Sequence, residues 1–159
     1  MVLGTLERTG LPPECLEIEL TENVLMDNLD LAVSLLERLK ATGLKLSLDD
    51  FGTGYASLTH LKRLPVDTVK IDRSFIQDLT TNEDDMAITR AVIAMAQALR
   101  LTVIAEGVET YEQLQHLRLL GCHQMQGYFV NKPMPAEEFA ELLGGSAIQR
   151  DDGHVEEAA

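Results

Sequence analysis

Five short apolar runs in this chain each finish in a polar or charged residue: Glu19, Asp49, Lys70, Glu106 and Gln126. The intervals between those residues are 30, 21, 36 and 20 positions, each about one strand plus one helix. Connections of that length are too long for hairpins, so the strands they join run parallel. Parallel strands alternating with helices build an α/β sheet or barrel. In a parallel barrel the C-terminal strand ends converge on one face, where active sites lie. Ion pairs along a rim would be the purely structural reason for polar strand ends. Five in phase, each after an apolar strand, are hard to explain by packing alone.

Between those ends the elements follow from periodicity and punctuation. Met1 to Gly10 reads as a helix, stopped by Pro12 and Pro13. Leu16 to Thr21 alternates as a strand does. Asn28 or Asp30 is placed to cap a helix whose apolar stripe is Ala32, Leu35, Leu36 and Leu39, with Gly43 at its end. Lys45 to Leu48 is the next strand. Tyr55 to Leu64 is a short helix closed by Pro65, and Val66 to Ile71 a strand. Ser74 to Leu79 is a connecting segment and Thr80 to Asp85 an acidic loop. Met86 to Leu99 is the longest helix. Leu101 to Ala105 is a strand, Glu109 to Leu120 an amphipathic helix, His123 to Gln126 a short strand, and Pro135 to Leu143 a last helix. The expected organisation is one domain over residues 1–143, with an acidic tail over 144–159 that lacks apolar residues enough to pack.

Charge narrows the partners. The net charge is −13, which argues against binding long nucleic acid or an anionic membrane surface. A small anionic ligand stays compatible, because bound cations would reverse the local sign. Cys15 and Cys122 form no spaced pair, as expected of thiols in a reducing cytoplasm. The sequence has no apolar run long enough to span a bilayer and no signal peptide. A longer parent chain with a membrane anchor fits equally well. His60, His116, His123 and His154 have no metal-ligand spacing and read as surface or packing residues.

The densest chemistry lies at Leu46 to Tyr55, L-S-L-D-D-F-G-T-G-Y. Two adjacent carboxylates, Asp49 and Asp50, end the strand. If the chain bends there, both converge on one site, where they repel unless a cation lies between them. All-oxygen ligands favour Mg, Mn or Ca over Zn. Gly52 and Gly54, bracketing Thr53, suggest unusual backbone angles or close approach to a ligand. Glu19, Asp49, Asp50 and Glu106 together supply carboxylates for one or two hard cations. Lys70 supplies a fixed positive charge for a nucleophilic water or a phosphate oxygen. Glu109 and Gln126 can orient water. Two cations held close together are the common device for in-line attack on a phosphodiester.

With these residues placed, the chain closely resembles the EAL family of cyclic di-GMP phosphodiesterases. The matching stretches are E-L-T-E at Glu19 to Glu22, D-D-F-G-T-G-Y-A-S-L at Asp49 to Leu58, V-K-I-D at Val69 to Asp72, A-E-G-V-E at Ala105 to Glu109, and Q-G-Y-F at Gln126 to Phe129. They occur in the family's order and spacing. Ala56 stands where the family usually has Ser.

The resemblance implies a modified (β/α)8 TIM-type barrel that cuts cyclic di-GMP to linear pGpG with Mg2+ or Mn2+ at a two-metal site. By position, Glu19, Asp49, Asp50 and Glu106 resemble the metal ligands. Lys70 resembles the water-positioning lysine, Glu106 the proposed general base, and Glu109 and Gln126 the supporting groups. Glu22 resembles the residue that steadies the loop of Phe51, Gly52, Thr53 and Gly54, a loop that in the family links substrate binding to dimerisation. The family's E-A-L motif and its Asn ligand do not precede Glu19, so the chain corresponds to the last five strand-helix units of the barrel. That implies a sheet with two free edges, an uncovered apolar face and impaired turnover. The partners implied are cyclic di-GMP, a second copy of the chain, and sensor or regulatory domains on a longer bacterial, cytoplasmic parent with roles in biofilm and motility.

Two other functions fit parts of the pattern. A catalytically inactive module that binds cyclic di-GMP or a protein partner fits the truncated front. A metal-assisted enolase-type barrel also sets carboxylates and lysine at strand ends, but gives the D-D-F-G-T-G-Y loop no role.

Overall fold

Within each strand, apolar and polar residues alternate, and the alternation decides which side of the sheet becomes core. The computed structural model describes residues 2–22, 29–52 and 58–145. Its elements are α1 (Val2–Thr9), a 3-10 turn (Pro13–Cys15), β1 (Glu17–Thr21), α2 (Leu29–Lys40), β2 (Lys45–Phe51), α3 (Leu58–Leu61), β3 (Thr68–Ile71), α4 (Arg73–Gln77), α5 (Glu83–Ala98), β4 (Thr102–Glu106), α6 (Tyr111–Leu119), β5 (Gln124–Gln126) and α7 (Ala136–Gly145). The strands form one sheet in the order β1-β2-β3-β4-β5, and every neighbouring pair is parallel. This is the expected α/β architecture, with β1 and β5 as its outer strands.

Register sorts the side chains into two faces. Ile18 pairs with Leu46 and Leu20 with Leu48. Leu48 pairs with Val69, Val69 with Val103 and Ile71 with Ala105, and Ala105 with Met125. This face is covered by the helices. Leu46, Leu48, Val69, Ile71 and Ala105 are fully buried against Leu36, Ile76, Ile93, Ala96 and Leu117. Burying each large aliphatic side chain is worth about 1.5–3 kcal/mol.

The residues between them face the open side. Glu19 pairs with Ser47 and Thr21 with Asp49, Ser47 with Thr68, Thr68 with Thr102 and Lys70 with Ile104, and Glu106 with Gln126. Apart from Ile104, this face is polar, not apolar as the truncation implied. Alternation has sent the other aliphatic residues to the helices. Exposed apolar side chains lie instead on flanking elements, such as Leu3 and Leu11 beside β1 and Phe139 and Leu142 beyond β5.

Several boundaries differ from the sequence expectation, each for a local reason. Strand β2 runs on to Phe51 because a bulge accommodates Asp49 and Asp50. The segment after Ile71 is a short helix, α4, whose N-cap Asp72 accepts a hydrogen bond from Ser74 N at 3.0 Å. Helix α5 begins at Glu83, inside the expected acidic loop. Asn82 caps it, accepting from Asp84 N at 3.0 Å. Glu83, Asp84 and Asp85 fill the first turn, where the partial positive charge favours carboxylates. Leu35 is 53% exposed, so the buried stripe of α2 passes through Leu29, Ala32, Val33, Leu36 and Leu39 instead. Helix α7 extends through Gly144 and Gly145, the first residues of the expected tail. Asn28, Thr53, Gly54, Tyr55, Ala56 and residues 146–159 lie outside the described residues.

The opposite end of the sheet from the strand C-termini is tied by Asp67. Its carboxylate accepts from Leu46 N at 2.9 Å and pairs with Lys40, and its carbonyl accepts from Thr102 N at 2.9 Å. Burial pushes this carboxyl up, but Lys40 and the Leu46 N–H outweigh it and hold it below the ordinary carboxylate range. In parallel barrels the N-terminal end serves stability, and this clamp is of that kind. The thiols of Cys15, exposed, and Cys122, buried, are both free.

Candidate active site

Lys70 is the centre of the strand-end cluster. It sits on the open face of β3, with β1 and β2 on one side and β4 on the other. Its Nζ lies 2.6 Å from Glu106 Oε1, 2.8 Å from Glu19 Oε1 and 3.3 Å from Asp49 Oδ1. The lysine side chain is only 6% exposed, whereas Glu19, on the outer strand, is 56% exposed. Burial alone would push the Lys70 pKa down. The hydrogen bonds that Lys70 donates to Glu106 and Glu19, and the charge of Asp49, outweigh it and hold the ammonium well above the ordinary lysine value. The surrounding carboxylates thus favour the charged form of Lys70,.

A backbone irregularity brings the two aspartates together. Between Leu48 and Phe51, strand β2 advances three residues while β3 advances two, from Val69 to Ile71. The extra residue makes a β-bulge, a device that re-aims side chains. Asp50 takes a left-handed conformation with φ 54°, which Asp tolerates better than most residues. Its N–H donates to Asp49 Oδ1 at 3.1 Å. The bulge also returns Phe51 to the helix-covered face, where it is buried in the core. Gly52 follows with φ 99°, and a Cβ there would stand 3.0 Å from the Phe75 ring. Burial raises the Asp50 carboxyl, the charges of Asp49 and Asp72 raise it further, and Lys70 opposes them.

The A-E-G-V-E and Q-G-Y-F stretches form one joint. Gly107 has φ 70°, and a Cβ on it would lie 2.7 Å from Arg73 Cβ. A Cβ on Gly127 would lie 2.1 Å from the Val108 carbonyl oxygen. Only glycine lets the two loops touch there. Val108 N donates to Gln126 O at 3.1 Å, and Phe129 N donates to Val108 O at 3.0 Å. Gln113 holds the other side of the loop. Its Oε1 accepts from Glu109 N at 2.7 Å and Thr110 N at 3.0 Å, while its Nε2 donates to Ile76 O and Gln77 O. Thr110 and Gln113 form a reciprocal capping box at the start of α6,.

The expected site residues divide into three groups. Glu19, Asp49, Lys70 and Glu106 converge within ion-pair distance, and Asp50 adjoins them through the bulge. Glu109 and Gln126 do not touch Lys70. They line a neighbouring cleft of about 380 Å³ together with Glu106, Arg73 and Tyr128. Glu22 is 2% exposed, Phe51 is buried in the core and Gly52 lies against the Phe75 ring. Asp72, Gln113 and Arg73 were given no role from the sequence. The D-x-S pattern at Asp72 and the T-x-x-Q pattern at Thr110 were the signals for the first two. A larger cavity of about 650 Å³, beside α1 and β1, is lined by apolar residues such as Leu6, Leu11 and Leu16. Its lining carries no titratable side chain, and it lies away from the chemistry.

The donor set suits a hard cation. Glu19, Asp49, Asp50 and Glu106 offer only oxygen. Asp50 is raised first by burial and then by the charges of Asp49 and Asp72, and a divalent cation relieves the second of these. Among the described residues no three acidic, His or Cys side chains already stand in ligating arrangement, because Lys70 occupies the space between the carboxylates.

Fold and cluster together are those of a TIM-type (β/α)8 barrel, of which five strand-helix units are described. The EAL domain model matches residues 2–133, and the chain belongs to that family. It is 52% identical over 142 residues to the cyclic di-GMP phosphodiesterase NbdA of Pseudomonas aeruginosa, covering 89% of this chain and 18% of that protein. It superposes with TM-score 0.84 and 46% identity on the PaMucR phosphodiesterase in complex with c-di-GMP, covering 87% of this chain and 56% of that one. A manganese/cy-diGMP complex of Klebsiella pneumoniae BlrP1 matches with TM-score 0.75 and 34% identity, covering 80% and 33%. The chain thus spans about a fifth of the length of that curated relative and between about a third and just over half of these solved chains.

Proposed function

We propose that this chain is the part of an EAL phosphodiesterase that carries its metal-binding carboxylates, and that the reaction it serves is hydrolysis of cyclic di-GMP to linear pGpG. The single observation that carries this reading is the convergence of Glu19, Asp49 and Glu106 on Lys70, with Asp50 set beside them by the bulge. Glu19, Asp49, Asp50 and Glu106 would hold Mg2+ or Mn2+, which supplies charge stabilisation at the phosphoryl group and a more acidic bound water. Lys70, locked in its charged form, orients the attacking water and steadies negative charge on the phosphate oxygens. Glu106, hydrogen-bonded to Lys70, is placed to accept the water's proton. Glu109 and Gln126, on the joined loops, orient water and substrate from the adjacent cleft.

The described sheet is open at β1 and β5, so water reaches the cluster from the side. Turnover by the 159-residue chain alone is accordingly slow, and a homodimer or a longer bacterial, cytoplasmic parent with regulatory domains completes it. No helix among the described residues is long and apolar enough to cross a membrane. A second reading is a non-catalytic module that binds the dinucleotide. It is favoured by the ion pairs of Lys70 with Glu19, Asp49 and Glu106, which hold these carboxylates together without metal.

The test is incubation of the purified chain with cyclic di-GMP and Mg2+ or Mn2+, with products separated by chromatography. The expected result is pGpG from the wild type and none from Asp49→Asn. Equal product from both variants overturns the assignment. Binding without product supports the non-catalytic module.

A further inference from the structure

Ser47 lies on the open face of β2, yet it is only 1% exposed. Its Oγ is buried and has no hydrogen-bond partner among the described residues. Buried hydroxyls are nearly always paired, so one left over in a folded site asks for a reason. The register supplies the first part of it. Ser47 pairs with Glu19 on one side and with Thr68 on the other, because β2 lies between β1 and β3. Glu19 Oε1 nevertheless stands 2.8 Å from Lys70 Nζ. The two side chains therefore meet across β2, over two strand spacings, on the order of 10 Å. The crossing runs over β2 at the level of Ser47 and Asp49, whose side chains share that face. It accounts for a buried serine on an otherwise open face, and it sets the hydroxyl beneath the Glu19 carboxylate.

Glu19 is also the carboxylate of the cluster most in need of support. The side chains of Asp49 and Glu106 are each 20% exposed, against 56% for Glu19 on the outer strand. Asp49 is fixed by the bulge and accepts from Asp50 N as well as pairing with Lys70. Among the described residues Glu19 is held by Lys70, through Oε1. An ionised carboxylate has acceptor sites on both oxygens, so Oε2 is left over. A hydroxyl donating to a carboxylate makes a stronger bond than one donating to a neutral oxygen. Of the two residues opposite Ser47, Glu19 offers that acceptor and Thr68 does not.

We propose that Ser47 is a positioning residue for Glu19, its Oγ–H donating to the second carboxylate oxygen as the cluster takes up a divalent cation. Carboxylates that ligate metals are themselves hydrogen-bonded, and these outer partners govern affinity. Ser47 touches no reacting atom and acts through Glu19 alone. Lys70 steadies one oxygen of the outer ligand from β3, and Ser47 steadies the other from below. This rests on the proposed function above, in which Glu19 is one of the groups that hold the cation.

The test measures metal affinity rather than turnover, by calorimetric titration of Mn2+ into the full 159-residue chain without nucleotide. The thermal midpoint of each variant is taken before titration. Ser47→Ala is expected to bind Mn2+ about tenfold or more weakly, with a midpoint no lower than that of the wild type. Ser47→Thr, which keeps the hydroxyl, is expected to bind as the wild type does. A double-mutant cycle identifies the acceptor. Once Glu19→Ala has removed the carboxylate, Ser47→Ala should cost no further affinity. Unchanged Mn2+ affinity in Ser47→Ala overturns the positioning role. A loss of equal size with and without Glu19 overturns the assignment to that residue. A loss that comes with a lowered midpoint and is not restored by Ser47→Thr marks packing alone, and overturns the proposal as well. Failure of the wild type to bind Mn2+ overturns the cation set of the proposed function, and this inference with it.

Discussion

Along β2, Leu46 and Leu48 face the helices, while Ser47 and Asp49, each one residue further on, face the open side. The first pair is fully buried among aliphatic neighbours. Of the second pair, one is a hydroxyl and the other reaches a buried lysine. The same period-2 geometry that builds the core thus lays out the chemistry, and the two regions share a backbone but not a source of stability. The helix-covered face is held by area removed from water. The open face is held by charge balance about Lys70. The two should therefore respond differently to substitution and to pH.

The largest effect is expected at the balance point. Lys70→Met leaves Glu19, Asp49 and Glu106 facing one another without their cation. Loss of a buried partner costs about 3–5 kcal/mol, read as a lowered urea midpoint at neutral pH. In the wild type the lysine pKa lies above its unfolded value of 10.5. Its contribution is fully present below that value and is lost as pH rises through the folded pKa. In Lys70→Met the sign reverses. Crowded carboxylates titrate above their unfolded values, so stability returns as pH falls from 7 toward 4. A midpoint deficit that does not shrink in acid breaks the charge-balance account of this face.

A smaller effect sharpens the comparison within two adjacent residues. Leu46→Ala removes a fully buried side chain from the helix-covered face and should cost about 2–5 kcal/mol at every pH. Ser47→Ala removes a buried hydroxyl that has no hydrogen-bond partner among the described residues. It should change stability by less than about 1 kcal/mol, in the stabilising direction if at all. Chemical denaturation of the two variants checks both, and a costly Ser47→Ala would mean that the open face has packing of its own.

The sequence made the first face legible and half of the second. Five apolar runs at helix-plus-strand intervals required a parallel α/β sheet, and the phase of Glu19, Asp49, Lys70 and Glu106 at their ends required that these meet. Leu35 falls outside the buried stripe because α2 carries more leucines than that stripe can use. The polarity of the open face follows from alternate residues and not from whole strands, because successive side chains point to opposite faces. The bulge at Asp50 was invisible as a register, although two successive aspartates before Phe51 demanded some such device.

The claim that the open face is a cation site is tested most directly by calorimetric titration of Mn2+ into the folded chain without nucleotide. The account predicts saturable binding that Asp49→Asn and Asp50→Asn each weaken by about tenfold or more, while Leu46→Ala, where still folded, binds as the wild type does. No binding by the wild type, or binding indifferent to both aspartates, would contradict it.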